Sequence, residues 1–381
     1  MSAHVRPASR TSASRHRLIA VAAALPLLFG SLAACGYGSD KKSDDSAPAA
    51  SAGTTTSKNL SADEVKIGYF PNLTHATALV GLKEGFFQQE LGSGTKIKQA
   101  TFNAGPAEIE ALNAGAIDIG WIGPSPSING YTKSDGKSLK IIAGSASGGV
   151  KLVVNPAKIK TLADVKGKKI ATPQLGNTQD VALLNWISSQ GWTVDAQSGK
   201  GDVSVVRTDN KITPDAYKNG SIDGAWVPEP TASKLVKEGA KVLLDESTLW
   251  PDKLFVITNV IVSQKFLQAH PDVVEAVLRG SVKTNAWIKA NSDKAKADAN
   301  SELQRLTQKA LPADILDPAW ASIQVTDDPL AATAKAEADH AVSAGLLKSP
   351  KLNGIYDLTL LNKVLKAAGR PTVSAAGLGT E

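Results

Sequence analysis

Gly115-Ala-Ile117-Asp118-Ile-Gly-Trp121-Ile-Gly-Pro124 and Gly220-Ser-Ile222-Asp223-Gly-Ala-Trp226-Val-Pro228 carry Gly, Ile, Asp and Trp at the same spacing, displaced by 105 residues. Each stretch reads as a helix ending at Gly, followed by a strand that leaves a Trp at its C-terminal end. A weaker echo precedes both: Pro71-Asn72-Leu73-Thr74 before one helix, and Pro173-Gln-Leu175-Gly-Asn177-Thr178 before another. A two-residue loop insertion accounts for the change of offset between them. The chain therefore reads as two lobes built on one unit of strand, polar loop, helix and strand. In open α/β sheets ligands sit beyond the carboxyl ends of strands, so the expected site is a cleft between the lobes.

Outward from these stretches the pattern continues. Short apolar runs alternate with helical segments at Val65–Tyr69, Lys98–Phe102, Ile117–Ile122, Leu139–Ala143 and Lys151–Val154. They continue at Lys169–Ala171, Val203–Arg207, Gly224–Val227 and Lys241–Leu244. This alternation predicts an α/β chain with mainly parallel sheets. Ala76–Lys83, Ala107–Asn113 and Val181–Ser189 carry apolar residues at helical spacing. After Phe255–Val262 the sequence turns mostly helical, with Pro271–Ala290 the clearest helix.

A length of 381 residues leaves room for two lobes with real cores. The formal charge of +6 invites a nucleic-acid reading, but Arg6, Arg10, Arg15 and Arg17 stand in an acid-free N-terminal segment. Without that segment 38 basic residues face 36 acidic ones, and a nucleic-acid partner loses its support. The segment itself runs from basic residues to an apolar stretch, Leu18–Leu32, and then to Leu32-Ala33-Ala34-Cys35. The apolar stretch is short for a membrane span, and its order is that of a signal peptide. Residues 36–59 are mostly Gly, Ser, Asp, Lys, Ala and Thr without periodicity, which predicts a tether. The single Cys excludes an internal disulfide.

Several of these stretches resemble a known family. Leu-Ala-Ala-Cys35 resembles the bacterial lipobox, whose Cys is lipidated. Gly68-Tyr-Phe-Pro-Asn-Leu-Thr-His75, Phe102-Asn-Ala-Gly-Pro106, Ile122-Gly-Pro-Ser-Pro126, Ala171-Thr-Pro-Gln-Leu-Gly-Asn-Thr-Gln-Asp180 and Asp223-Gly-Ala-Trp-Val-Pro-Glu-Pro230 resemble the ABC-importer binding proteins for aliphatic sulfonates, taurine and nitrate. The resemblance implies a type II periplasmic-binding fold whose lobes close on a ligand by hinge motion. It also implies a permease and ATPase as partners, and an extracytoplasmic protein held to the membrane by lipid on Cys35. On this sequence residues 1–34 are the signal peptide, 35–60 the tether, 61–152 the first part of lobe 1, 153–254 lobe 2, and 255–381 the rest of lobe 1. The crossings fall near Lys151–Asn155 and Leu254–Thr258. A monomer without cofactor or metal is expected.

Loops rich in Gly, Ser, Thr and Asn before helix N-termini present N–H and hydroxyl donors, the set that binds an oxyanion without a fixed cation. The candidate ligand contacts are Asn72, Thr74, His75, Gly105, Gly123, Ser125, Asn177, Thr178 and Gln179, each of which also reads as ordinary helix capping or packing. Trp226, followed by a stiff polar segment, reads as facing the cleft, where an indole suits an alkyl chain. Trp121, between apolar neighbours, reads as core. Glu229 has two readings: a cleft acid that pairs with the amine of a zwitterion such as taurine, as the acid at the corresponding position of taurine-binding relatives implies, or a helix N-terminal Glu favoured by the dipole. His75, His270 and His340 are too dispersed for a metal site.

No Gly-x-Ser-x-Gly elbow, P-loop or Gly-x-Gly-x-x-Gly follows a strand, so hydrolase, nucleotidase and dinucleotide readings have no anchor. The expected function is capture of a small organosulfur oxyanion, with nitrate, a sulfate ester or a thiamine-precursor pyrimidine as alternatives. The rival class is an enzyme on the same fold. The thiamine-type synthases that resemble these binding proteins carry a Cys-rich motif, which this chain lacks.

Overall fold

In the computed structural model, which describes residues 59–381, the chain first lays down β1 (Glu64–Tyr69), β2 (Lys96–Thr101), β3 (Ile119–Ile122) and β4 (Leu139–Gly148). It crosses to a second sheet for β5 (Val150–Val154), β6 (Lys169–Thr172), β7 (Ser204–Arg207), β8 (Gly224–Pro228) and β9 (Lys241–Asp245). It then returns through β10 (Val256–Ser263) and ends with β11 (Ile323–Val325), β12 (Tyr356–Asp357) and β13 (Gly379–Thr380) among helices. The first sheet has the order β13-β12-β4-β10-β3-β1-β2 with β11 on β4, and the second β7-β6-β8-β5-β9. The segment expected to be a signal peptide, Cys35 and almost all of the expected tether lie outside the described residues. Among the described residues no helix is long and apolar enough to cross a membrane.

The internal echo has a structural cause. Asp118 accepts a hydrogen bond from the backbone N–H of Lys66 at 2.9 Å, and Asp223 accepts one from that of Lys169 at 2.9 Å. The backbone N–H of each Asp in turn donates to the carbonyl of the same Lys at 2.8 Å. Each Asp thus pins the start of its strand to its parallel neighbour, β3 to β1 and β8 to β6, and fixes the register. The glycines before them, Gly115 at φ 71° and Gly220 at φ 76°, close the preceding helices in the left-handed conformation.

Parallel pairing holds within β2-β1-β3 and β7-β6-β8. The strands that carry the chain between sheets, β5 and β10, pair antiparallel with their neighbours, so both sheets are mixed rather than mainly parallel. The first crossing also lies earlier than expected. Gly148 and Gly149, at φ 78° and 73°, take the chain out of one sheet, and β5 already belongs to the second. A run such as Lys151–Val154 carries no mark of which sheet it joins, whereas paired glycines tolerate the reversal.

One core surrounds the first sheet and gathers the C-terminal helices, including Pro271–Ala290. Separate clusters carry the second lobe, one around Leu152, Ile170, Trp186 and Trp226, the other around Val153, Ala225, Val227 and Leu235. Leu152 and Val153 are successive residues of β5, so the two clusters take opposite faces of the sheet.

Candidate functional site

The loops that leave the parallel strands meet between the two sheets. β1 leads to Phe70, Asn72, Thr74 and His75; β2 to Asn103; β3 to Gly123. From the other lobe, β6 leads to Asn177, Thr178 and Gln179, β7 to Asn210, and β8 ends at Pro228. Together with Ile257 of β10 these residues line one cavity, at the carboxyl ends of six strands.

Three helical segments begin at this cavity. The 3-10 turn Leu73–His75 continues into the helix Ala76–Lys83, and the others are Pro124–Lys133 and Thr178–Ser189. Their N-cap residues, Asn72, Gly123 and Asn177, are extended and give no side-chain cap to the first turn. The first turns of Leu73–His75 and Thr178–Ser189 bring backbone N–H groups to the cavity, whereas Pro124–Lys133 offers only that of Ser125 in its first three residues, because Pro124 and Pro126 have none. The positive ends of the helix dipoles stand behind them. The lining has no Asp, Glu, Lys or Arg. Its one titratable side chain, His75, is 2% exposed, and burial lowers its pKa to about 3. The Nδ1 of His75 accepts the Phe70 N–H at 3.3 Å, so the neutral ring carries its proton on Nε2. Phe70 stacks on it with ring centroids 4.4 Å apart.

Several buried polar atoms here have no partner among the described residues: Asn72 Oδ1, Ser125 Oγ, Thr178 Oγ1 and Asn210 Oδ1. An orphaned buried group of this kind costs about 1–3 kcal/mol, so a cluster of them marks a place that takes a polar guest. The lobes touch around it. The Gly105 N–H donates to Asn177 Oδ1 at 3.2 Å across the cleft. A Cβ on Gly123 would lie 2.2 Å from Thr178 Oγ1. In this closed arrangement the cavity is only about 20 Å³, little more than one water occupies, so an organic anion enters only when the lobes part.

Gly123 has φ −70°, which any residue adopts, so a methyl group there strains the closed lobes and not the strand. Gly123→Ala is expected to leave thermal stability nearly unchanged and to weaken ligand binding about 10–100-fold, the equivalent of ~1–3 kcal/mol of overpacking. Calorimetric titration checks this, and unchanged affinity would show that closure does not bring these atoms together.

Asn72, Thr74, His75, Gly123, Asn177, Thr178 and Gln179 thus come together in the lining. Gly105 and Ser125 stand just behind it, the first bonded to Asn177 and the second buried. Trp226 does not join them. It is fully buried, donates its indole N–H to Glu246 Oε2 at 2.6 Å and packs against Trp186, so it is core to the second lobe. Trp121 is core as well, edge-on to Phe87. Glu229 is also absent from the lining. Its carboxylate is fully buried, pairs with Lys151 Nζ at 2.6 Å and accepts the Ser233 N–H at 3.0 Å. Of its two readings, the helix-end carboxylate fits the structure, because both oxygens are engaged away from the cavity. Apolar contact falls instead to Phe70, Pro228 and Ile257. Sequence reasoning missed these, and missed Asn103 and Asn210, although both Asn residues closely follow predicted strands, the signal that located the other loops.

Two mixed sheets joined by two crossings, with the polar site between them, define the two-lobed periplasmic-binding-protein fold of type II. Residues 58–303 match the model of the NMT1-like family, and the chain belongs to that family. It is 27% identical over 307 residues to a protein of Bacillus subtilis (strain 168) described as aliphatic sulfonates-binding, covering 80% of this chain and 88% of that one. It is 27% identical over 216 residues to the taurine-binding periplasmic protein of Escherichia coli (strain K12), covering 57% of this chain and 64% of that one. Among solved structures, the alkanesulfonate-binding protein of Xanthomonas axonopodis pv. citri, bound to MOPS, superposes with a TM-score of 0.61 at 23% identity, over 76% of this chain and 95% of that one. The nitrate-binding protein of Synechocystis PCC 6803 superposes with a TM-score of 0.62 at 17% identity, over 75% and 83%.

Proposed function

We propose that the chain is the extracytoplasmic receptor of an ABC importer and captures a small alkanesulfonate by closing its lobes. The observation that carries this reading is the cavity itself. Uncapped helix N-termini from both lobes meet there with amides and hydroxyls, without a charged side chain and with partnerless polar atoms. Such a donor set suits a compact oxyanion held by dipoles, while Phe70, Pro228 and Ile257 offer contact to a short alkyl group. Relatives named for sulfonates and taurine support the same class. The receptor is held at the membrane by lipid on Cys35, acts as a monomer, and hands its ligand to a permease driven by an ATPase. It performs no chemistry on the ligand.

Within the class, the engagement of Glu229 by Lys151 favours an alkanesulfonate without an amine, because a taurine ammonium would find no carboxylate in the lining. A thermal-shift screen of the purified full chain tests both levels. Ethanesulfonate at about 100 times its dissociation constant is expected to stabilise the fold by ~2.7 kcal/mol, and taurine at the same concentration by less. A shift with nitrate or a sulfate ester alone would keep the receptor role and replace the ligand. A shift only with a pyrimidine would overturn the oxyanion reading.

A further inference from the structure

A second cavity, of about 200 Å³, lies against Trp226 on residues that take no part in the interlobe site. Its walls come from the helix Thr178–Ser189, β8, the turn Glu246–Leu249 and the helix Ala334–Ser343. Three indoles line it, those of Trp186, Trp226 and Trp250, together with Asn185, Glu246 and His340. Trp186 and Trp226 lie 6.0 Å apart between ring centroids, tilted by 48°, and Trp250 and His340 lie 5.1 Å apart, tilted by 56°. Leu249, 50% exposed, stands at the rim and leaves the cavity open to solvent. The volume suffices for an organic guest, since an apolar cavity of ~150 Å³ admits benzene.

The carboxylate is what selects the guest. Glu246 is 2% exposed, and one of its oxygens accepts the Trp226 indole N–H at 2.6 Å. Among the described residues no Lys or Arg forms an ion pair with it. Burial pushes its pKa to about 7, against the pull of the indoles of Trp226 and Trp250 and with a small push from Asp245. The groups facing it from the helix Ala334–Ser343 add no positive charge. Burial holds Glu337 well above the carboxylate range, and holds His340 below its ordinary value. A buried acid without a cation, set among aromatic rings, is incomplete as a structural ion pair and complete as a receptor for a cation.

We propose that this cavity is a second ligand site and takes a small alkylated ammonium cation, the Trp186 and Trp250 indoles receiving its methyl groups, with Trp226 covered behind them, and Glu246 its charge. The site is independent of the interlobe cavity, and neither assignment depends on the other. Choline, tetramethylammonium and 3,3-dimethylbutan-1-ol, the uncharged isostere of choline, provide the test on the purified full chain, read by tryptophan fluorescence and melting temperature. Choline and tetramethylammonium are expected to quench fluorescence and raise the melting temperature, with choline binding at least tenfold tighter than the alcohol. Choline affinity is expected to fall as pH drops below about 7, where Glu246 takes up a proton. Glu246→Gln retains an acceptor for Trp226 and is expected to lose at least tenfold in choline affinity. No response to either cation, an equal response to the alcohol, or a folded Glu246→Gln chain that binds choline unchanged would each overturn the proposal. Should Glu246→Gln fail to fold, the comparison of choline with the alcohol on the wild-type chain decides.

Discussion

Asp180→Ala is expected to cost about 3–5 kcal/mol of folding stability, the largest loss from a single substitution near the cleft. Asp180 sits in the first turn of the helix Thr178–Ser189 and is fully buried. One oxygen accepts Thr172 Oγ1–H at 2.7 Å and Arg207 Nε–H at 3.0 Å; the other accepts the Gly176 N–H at 3.0 Å. Arg207, 16% exposed, has Asp180 as its ion-pair partner and donates a further bond to the Ala196 carbonyl at 2.7 Å. Removing the carboxylate leaves a largely desolvated guanidinium without its counter-charge, which dominates the loss because total stability is only ~5–15 kcal/mol. The same change frees Gly176 and with it the turn that presents Asn177 and Thr178, so ligand affinity is expected to fall alongside stability. Denaturant titration reads the first effect and calorimetry the second. Replacing both partners, Asp180→Leu with Arg207→Leu, is expected to recover part of the loss, because no unpaired charge remains. A single variant within 1 kcal/mol of wild type would show that Arg207 reaches water when its partner is gone.

How far the molecule was legible in its sequence follows from which interactions are local. The duplicated unit was readable because Asp118 and Asp223 perform one task, pinning a strand start to its neighbour, at one spacing from a helix-ending Gly. The cleft loops were readable because Asn72, Gly123 and Asn177 sit where strands hand over to helices. Trp226 was not, because whether an indole N–H finds an acceptor in the core depends on Glu246, which is placed by the next strand and turn. Glu229 was ambiguous for a similar reason. Its partner Lys151 is 78 residues away and meets it only through the antiparallel pairing of β5 with β8. The type of each loop residue thus follows from local rules, while the direction of a side chain at a strand end is settled by tertiary pairing.

His75 gives the site a pH signature that can be measured without knowing the ligand. The ring is buried against Phe70 and accepts that residue's backbone N–H, so protonation would remove the acceptor and place a charge where no acid lines the cavity. Burial accordingly lowers its pKa from 6.5 to about 3. A folded-state pKa below the unfolded one means that the unfolded chain binds the extra proton between these values. The stability contributed by neutral His75 is therefore fully present above about pH 6.5 and is lost as pH falls towards 3, at ~1.4 kcal/mol per unit. The buried acids Glu108, Glu246 and Glu337, whose pKa values are raised, act in the opposite direction, but they do so in wild type and variant alike. The difference between wild type and His75→Gln isolates the histidine. Denaturation midpoints between pH 7 and 4.5 are expected to show the stability gap shifting by ~1.4 kcal/mol per pH unit in favour of the variant as pH falls. A parallel pair of curves would mean that His75 finds water or an acid when it takes the proton. Saturating anion should make the wild-type slope shallower, because a negative charge in the cavity beside the His75 ring favours its protonated form. A neutral ligand in the same cavity would leave the slope as it is.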